Sequence, residues 1–434
     1  MSSLCIQGGI SLQGEVEIRG SKNAASKLMI ASLLTKEPCV IENIPFSSEI
    51  DITRELCEGI GSKVVFSADD HLARMETPEM TTSVVPELSR RNRIPILAFG
   101  PLLHRKGNAE IPFLGGDPIG HRPVNFHLDA LNKMGIRIEL REHSYYAEAD
   151  EIHGAEIEFP YPSVGATENV LLTAAVAKGT TFVVNAAVEP EILNLIEMLT
   201  AMGADITLDQ DARTMKIEGV LKLHGVRMRV IPDRNEIVSF ATSALATNGH
   251  IFIRDVTDSA LGSFITALRA IGGEVRLDPR GIEFSGKKPY KPLIIETAPH
   301  PGFMTDWQQP FCVLLTQAEG ESILHETVYE DRFGYTKDLR RMGADIEVSD
   351  ECLGPAPCRF SGTTFNHSAR IRGPSVLKGT EIAITDIRAG MAHVIAALAA
   401  EGESNISGIE HIDRGYEKID ERLRELGANI KRMT

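Results

Sequence analysis

One short pattern recurs six times along this chain, and it restricts the possible folds more than any other feature. It reads CEGIGSKV, LNKMGIRI, LTAMGADI, LRAIGGEV, LRRMGADI and LRELGANI: a helix end, an apolar residue, a glycine, two more residues, then Val or Ile. The glycines, Gly61, Gly135, Gly203, Gly272, Gly343 and Gly427, recur at nearly even intervals, each close to one sixth of the chain. The widest interval is the last, from Gly343 to Gly427. Glycine adopts a left-handed conformation without steric cost, so the pattern predicts a helix stopped at each glycine and followed at once by a strand. A second element precedes each of these glycines, where small-residue helices turn into β-branched strands, as in AAVAKGTTFVV and LTQAEGESILH. Its turn glycines are Gly107, Gly179, Gly249, Gly320 and Gly402, with Glu37-Pro38 in the first copy. Each copy therefore predicts helix, turn, strand, loop, helix, glycine and strands. The first helices are rich in Ala, Ser and Leu all round, which predicts burial inside a sheet-lined core.

Six such copies exceed one hydrophobic core, so two domains of three copies are expected rather than a stacked solenoid. A boundary is expected where the strand RMRVIP runs into Asp233-Arg234, with the N-terminal strand region pairing back onto the later half. The expected domains are 1–21 with 233–434, and 22–232, the latter carrying a loop at 113–127.

Charge limits the partners. Lys and Arg number 45 against 60 Asp and Glu, a net −15, which excludes the basic footprint of a nucleic-acid coat. With 16 Phe, 7 Tyr and 1 Trp, stacking platforms for single strands are not expected. An anionic small molecule requires a local cationic pocket inside this acidic shell. No apolar run reaches the ~18–20 residues of a membrane helix. The N-terminal stretch alternates like a strand and lacks the form of a signal peptide, so a cytoplasmic protein without membrane contact is expected. Cys5, Cys39, Cys57, Cys312, Cys352 and Cys358 show no CxxC and no metal spacing, and are read as reduced thiols. His104, His121 and His127 form no convincing ligand set, so no metal site is expected.

Function is expected where a copy departs from the others. The interval between the two glycines of a copy is longest in copy two, from Gly107 to Gly135. The extra length falls in LGGDPIGHRPVNFH, whose paired glycines beside Asp117, His121 and Arg122 read as a mobile loop delivering an acid and a cation. The plain alternative is a surface turn. Lys22, in RGSKNAASK, stands at a loop-to-helix entry whose N–H groups favour an anion. Asp306, in APHPGFMTDWQQPF, precedes an apolar helix and is also read as a simple N-terminal charge. Arg332, Arg388 and Arg414 are each read as opening a helix, a position that calls for a bound anion or for Asp331, Asp386 and Asp413 as neighbours. Walker, dinucleotide-fingerprint and HExxH motifs are absent.

These blocks, GSKNAA, GGDPIGHRPVNFH, SVGAT, NAAVEPEI, PDRNE, TAPHPGFMTD, YEDRFGY, TDIRAG and HIDRGYEKI, occur in order along the whole chain. In them the chain resembles the UDP-N-acetylglucosamine enolpyruvyl transferase family. The resemblance implies an inside-out α/β barrel fold, two domains each of three βαβαββ units, with an active site between them. It implies transfer of enolpyruvate from phosphoenolpyruvate to the sugar 3-hydroxyl, through a tetrahedral ketal and without metal or organic cofactor, as the first committed step of peptidoglycan synthesis. On matching positions, Asp306 is the implied general base and Asp117 the implied general acid. Lys22, Arg122, Arg332, Arg388 and Arg414 are the implied partners of the phosphate and carboxylate. Asn23, Arg93, Arg122, Pro123, Val124, Asn125, Ser163, Val164 and Gly165 are implied to face the UDP-sugar. Cations on both halves imply closure linked to an anionic ligand.

Three departures stand out. Asp117 replaces the Cys that many family members carry, so the thioether formed with fosfomycin is not available and insensitivity is expected. Asn125 replaces an Asp, keeping one acceptor and adding donors. Tyr161 replaces a phosphate-facing Lys. Two other readings remain: enolpyruvyl transfer to another alcohol, such as shikimate 3-phosphate or a nucleoside, and a non-catalytic ligand-binding paralogue.

Overall fold

All six cap glycines have positive φ, from 88° at Gly135 to 112° at Gly61, and a strand follows each almost at once. This computed structural model describes residues 2–89, 92–116, 123–330, 332–355 and 358–433. In copy four the left-handed turn position is taken by Asn248 (φ 53°) rather than by Gly249.

Copy three gives the repeating unit in full: strand Glu156–Glu158, helix Val164–Ala174, strand Thr180–Val184, helix Pro190–Ala201, then strands Asp205–Asp209 and Thr214–Glu218. Glu156–Glu158 pairs parallel to Thr180–Val184, and the other pairs are antiparallel. Thr181 lies opposite Ile217 and Val183 opposite Met215, all four buried, while Phe182 and Val184 between them face solvent. One face of the sheet is thus apolar and the other wet. Among the described residues five sheets have four strands. The sixth, in copy two, has three, and its parallel edge is reduced to a bridge between Val84 and Glu110.

Two edges come from distant chain. Gln13–Glu17 lies parallel to His250–Arg254 and completes copy four. Arg227–Arg229 lies parallel to Cys39–Glu42 and completes copy one. Copy six is completed by Ser3–Gln7, which sits between Glu403–Ser407 and Asn429–Met433.

Met1–Arg19 and Asp233–Thr434 fall in one compact body, Gly20–Gly116 and Pro123–Pro232 in another. Each has its own hydrophobic core. In the first, helices Arg234–Ala246, Gln308–Leu315 and Ile387–Ala399 pack on one another, and every residue of Arg234–Ala246 is buried. Apolar helices occupy the middle and half-wet sheets the outside, which is the inside-out arrangement. Phe311, fully buried beside the rings of Phe264 and Phe303, illustrates the dependence on these helices. Its loss to Ala costs about 3–5 kcal/mol, a large part of a domain's ~5–15 kcal/mol. No helix among the described residues is long and apolar enough to cross a membrane.

Copy two is not the largest departure from the plan. In copy five the hairpin between strands Asp345–Ser349 and Ser368–Gly373 runs over 350–367, whereas the matching hairpins close over 210–213 in copy three and 279–280 in copy four. The wide interval between Gly343 and Gly427 was its trace in the sequence.

Candidate functional site

Asp306 lies in a 3-10 turn, Thr305–Trp307, that runs into the buried helix Gln308–Leu315. Its carboxylate is gripped by two arginines: Arg332 Nη2 donates to Oδ1, and Arg388 Nε donates to Oδ2 at 3.0 Å. Both arginines are buried, while the Asp306 side chain keeps 18% of its surface exposed. Arg388 also donates through Nη1 to the Tyr416 hydroxyl at 2.9 Å, which lies 3.0 Å from Ser239 Oγ. Burial works against the charge of Arg388, but Tyr416, Asp306 and Asp233 outweigh it and hold the guanidinium above its ordinary range. Arg332 follows the same logic, with Asp306 and Glu326 offsetting burial. A carboxylate clamped in this way is held in one orientation by charge-assisted hydrogen bonds. An anion competing for either guanidinium releases an oxygen able to accept a proton.

The structure corrects the reading that three arginines open helices. Only Arg388 does, at the start of Ile387–Ala399, where Asp386 Oδ1 accepts from the N–H groups of Arg388 and Ala389, both at 2.9 Å. Arg332 precedes helix Thr336–Arg341, and Arg414 closes the short helix Glu410–Asp413. Asp413 pairs with Arg432 at 2.8 and 2.9 Å. Asp331 lies outside the described residues.

Glu326 and Tyr416 were not anticipated as site residues. Fully buried Glu326 accepts from Thr305 Oγ1 at 2.8 Å, and from the N–H groups of Val328 and Tyr329 at 2.7 and 3.0 Å. It thereby ties the Asp306 turn to the segment leading to Arg332. Its position directly after a predicted strand was the available signal.

In the other body, the implied sugar-facing residues cluster around helix starts. Ser163 Oγ accepts from Ala166 N at 3.4 Å and caps Val164–Ala174, so Val164 and Gly165 occupy the first turn with its unpaired N–H groups. A Cβ on Gly165 would lie 3.1 Å from the ring of His127. His127 belongs to helix Asn125–Lys133 and takes a hydrogen bond on Nδ1 from Asn169 Nδ2 at 3.2 Å. Asn169 Nδ2 also reaches the carbonyl of Ile96, in the turn Ile94–Ala98 that follows Arg93. Burial, reinforced by Arg93, pushes His127 down to about 3, so it is a neutral packing link and not a proton carrier. A pocket of about 210 Å³ opens beside exposed Asn125, lined by Phe126, Asp129, Phe159 and Pro160. Half-buried Tyr161 follows Pro160, and Pro123 and Val124 precede Asn125.

Lys22 and Asn23 are the first residues of helix Lys22–Ala31, whose N-cap, buried Ser21, makes no capping hydrogen bond. Asp117, His121 and Arg122 lie outside the described residues.

All six cysteines are free thiols, as read from the sequence, but two of them belong to a group that their spacing did not show. Cys352 and Cys358, in the long hairpin loop, come together with His325 and His367, and one ligand atom from each lies within 4.8 Å of all the others. Sequence spacing hid the group because the strand Gly320–His325 and the loop meet only through sheet pairing, His325 lying opposite Ser368.

A double set of three βαβαββ units with a carboxylate held between arginines is the architecture of an enolpyruvyl transferase. The sequence profile of the EPSP synthase (3-phosphoshikimate 1-carboxyvinyltransferase) family matches residues 6–423, and the chain belongs to this family. Within it, the chain is 46% identical to a UDP-N-acetylglucosamine 1-carboxyvinyltransferase of Protochlamydia amoebophila, over 99% of this chain and 94% of that protein. It is 43% identical to the protein of the same name from Chlamydia abortus, over 99% and 98%. The fold resembles the enolpyruvyl transferase NikO from Streptomyces tendae, with TM-score 0.86 and 24% identity, covering 100% of this chain and 99% of that one. It also resembles an EPSP synthase from Acinetobacter baumannii, with TM-score 0.74 and 18% identity, covering both chains fully.

Proposed function

We propose that the chain transfers the enolpyruvyl group of phosphoenolpyruvate to the 3-hydroxyl of UDP-N-acetylglucosamine, releasing inorganic phosphate, and so begins peptidoglycan synthesis. The observation that carries this reading is the Asp306 carboxylate gripped by Arg332 and Arg388. Support comes also from full-length relatives that bear the name of that activity.

Phosphoenolpyruvate brings a phosphate and a carboxylate, and Arg332, Arg388, Arg414, Lys22 and Arg122 are the cations assigned to them. As the anion draws on Arg332 and Arg388, Asp306 accepts the sugar hydroxyl proton while the oxygen bonds to C2 of phosphoenolpyruvate. Asp117 gives a proton to C3, which becomes a methyl group. Loss of a methyl proton and departure of phosphate then restore the double bond, now on the sugar ether. Asn23, Arg93, Pro123, Val124, Asn125, Ser163, Val164 and Gly165 are assigned to the nucleotide sugar. The capped helix start at Ser163 suits an anionic diphosphate, and the pocket beside Asn125 suits a planar base.

Phosphate release from phosphoenolpyruvate is the test, run with UDP-N-acetylglucosamine, shikimate 3-phosphate and a free nucleoside in parallel. The expected outcome is release with the UDP-sugar alone and a product heavier by one enolpyruvyl group. Release only with another alcohol would overturn the acceptor, and binding without release in every case would favour a non-catalytic paralogue.

A further inference from the structure

The hairpin loop of copy five, 350–367, contains no helix or strand among its described residues. Loops beyond roughly 12–15 residues are uncommon in a compact domain unless something local organises them. The described part of this one converges on two buried imidazoles and two half-buried thiols. His325 ends the strand Gly320–His325, His367 closes the loop, and both are fully buried. Cys352 Sγ lies 3.6 Å from His325 Nε2.

Hydrogen bonding fixes which nitrogen of each ring carries a lone pair. The Ser368 hydroxyl gives its single proton to the Glu351 carbonyl at 2.6 Å, so toward His325 Nδ1, at 2.9 Å, it acts as acceptor. His325 therefore carries its proton on Nδ1 and presents the lone pair of Nε2 toward the thiols. His367 Nδ1 faces the Phe365 carbonyl at 2.7 Å and must donate to it. Its lone pair is likewise on Nε2, a buried atom with no hydrogen-bond partner among the described residues. Metal-binding histidines are oriented in this manner, the second nitrogen donating to an oxygen behind the ring.

The sulfurs carry a matching signature. The Cys358 N–H points to Cys352 Sγ at 3.4 Å, and the Phe360 N–H points to Cys358 Sγ at 3.4 Å. A backbone N–H thus already points at each sulfur. Gly354 lets the loop press on the ring, since a Cβ there would fall 2.6 Å from His325 Cδ2. Glu296 Oε2 lies 3.8 Å from His325 Nε2, beyond hydrogen-bonding range.

We propose that His325 Nε2, His367 Nε2, Cys352 Sγ and Cys358 Sγ form a structural Zn²⁺ site that staples the copy-five hairpin. With Zn–S near ~2.3 Å and Zn–N near ~2.0 Å, tetrahedral ligand atoms stand roughly 3.3–3.8 Å apart. Ligand atoms within 4.8 Å of one another need only a small contraction to reach that geometry. Binding converts two thiols to thiolates and releases two protons to solvent, giving a site of zero net charge with neutral imidazoles. All four positions of the tetrahedron are filled by protein, so the ion has no open position for chemistry.

The staple also reaches the site. Arg359, next to Cys358, donates to the Val328 carbonyl and lies 3.9 Å from Glu330, on the segment that leads to Arg332. His325 and Glu326 are consecutive: the first faces the thiols, the second holds the Asp306 turn.

The test is elemental analysis of the full chain, grown with zinc and purified without chelator, together with Co²⁺ exchange. About one zinc per chain is expected, falling at least tenfold in Cys352→Ser/Cys358→Ser and in His367→Gln, and unchanged in Cys5→Ser. The Co²⁺ form should show tetrahedral visible bands and thiolate charge transfer that halves in either single cysteine variant, a reading taken on folded protein. Wild-type chain with less than a tenth of an equivalent of zinc and no tetrahedral Co²⁺ spectrum would overturn the site. So would a mass two hydrogens lower that maps to a Cys352–Cys358 disulfide.

Discussion

Copies two and five break the shared plan at different points. Copy two adds residues before its second helix and reduces its parallel edge to the Val84–Glu110 bridge. Copy five keeps the short interval there, from Gly320 to Gly343, and adds its length in the hairpin. An insertion beside a helix start lies next to open N–H groups, a setting that favours an anion. An insertion in a hairpin lies against a buried strand end and must bring its own core. Copy five does so with Phe360 and Phe365, whose rings stand 6.5 Å apart, and with two cysteines and two histidines.

The largest expected effect bears on which copy supplies the base. Asp306→Asn, in copy five, should lower kcat by about 10³-fold or more with little change in KM for phosphoenolpyruvate. A variant within tenfold of wild type in a steady-state assay would move the base elsewhere. Asp117→Asn, in copy two, should cost more than ~100-fold in kcat. Near-normal turnover in that variant would remove the acid role from the copy-two loop. The same aspartate predicts that fosfomycin causes no time-dependent loss of activity, and a covalent mass increase on the chain after incubation would contradict it.

Smaller effects sharpen the contrast with copy three, which keeps the regular plan. Burial raises Glu168 from 4.5 to about 7, Lys27 opposing and Glu191 and Glu189 reinforcing the shift. A carboxyl whose folded pKa is raised lends stability that is fully present below its unfolded pKa and is lost as pH rises through about 7. Glu168→Gln should therefore leave Tm unchanged near pH 5 and raise it near pH 8, by a few degrees at most. An equal difference at both values would show that the carboxyl does not titrate there. The smallest effect links the staple to the site: Cys352→Ser/Cys358→Ser should raise KM for phosphoenolpyruvate about threefold while kcat holds, because Arg359 anchors the segment before Arg332. An unchanged KM would confine the staple to stability.

Local physics explains what the sequence revealed. A cap glycine announces itself because no other residue takes that φ cheaply, so six glycines outlined six units. The helix starts at Lys22 and Arg388 were legible for the same reason, since each is written in a few neighbouring residues. Tertiary pairing was not. Arg388 meets Asp306 from far along the chain, and Asp413 answers to Arg432 instead of the adjacent Arg414. The His325 pairing with the hairpin thiols was hidden likewise, although the wide interval before Gly427 marked the insertion that creates it.

The way distant strands complete the sheets sets an order of events during synthesis. Every strand of the body that spans residues 20–232 lies between Cys39 and Arg229, so that body has all its partners once the ribosome has passed its last strand. The strand Ser3–Gln7, made about 400 residues earlier, has no neighbours until Glu403–Ser407 and Asn429–Met433 emerge. At ~5–20 residues per second the wait is roughly 20–80 s. During it, an apolar strand with two unpaired edges is exposed to other nascent chains. Its shortness and the neighbouring glycines Gly8 and Gly9 limit its capacity to pair wrongly. Of the strands described, the one translated earliest is thus among the last to find its partners.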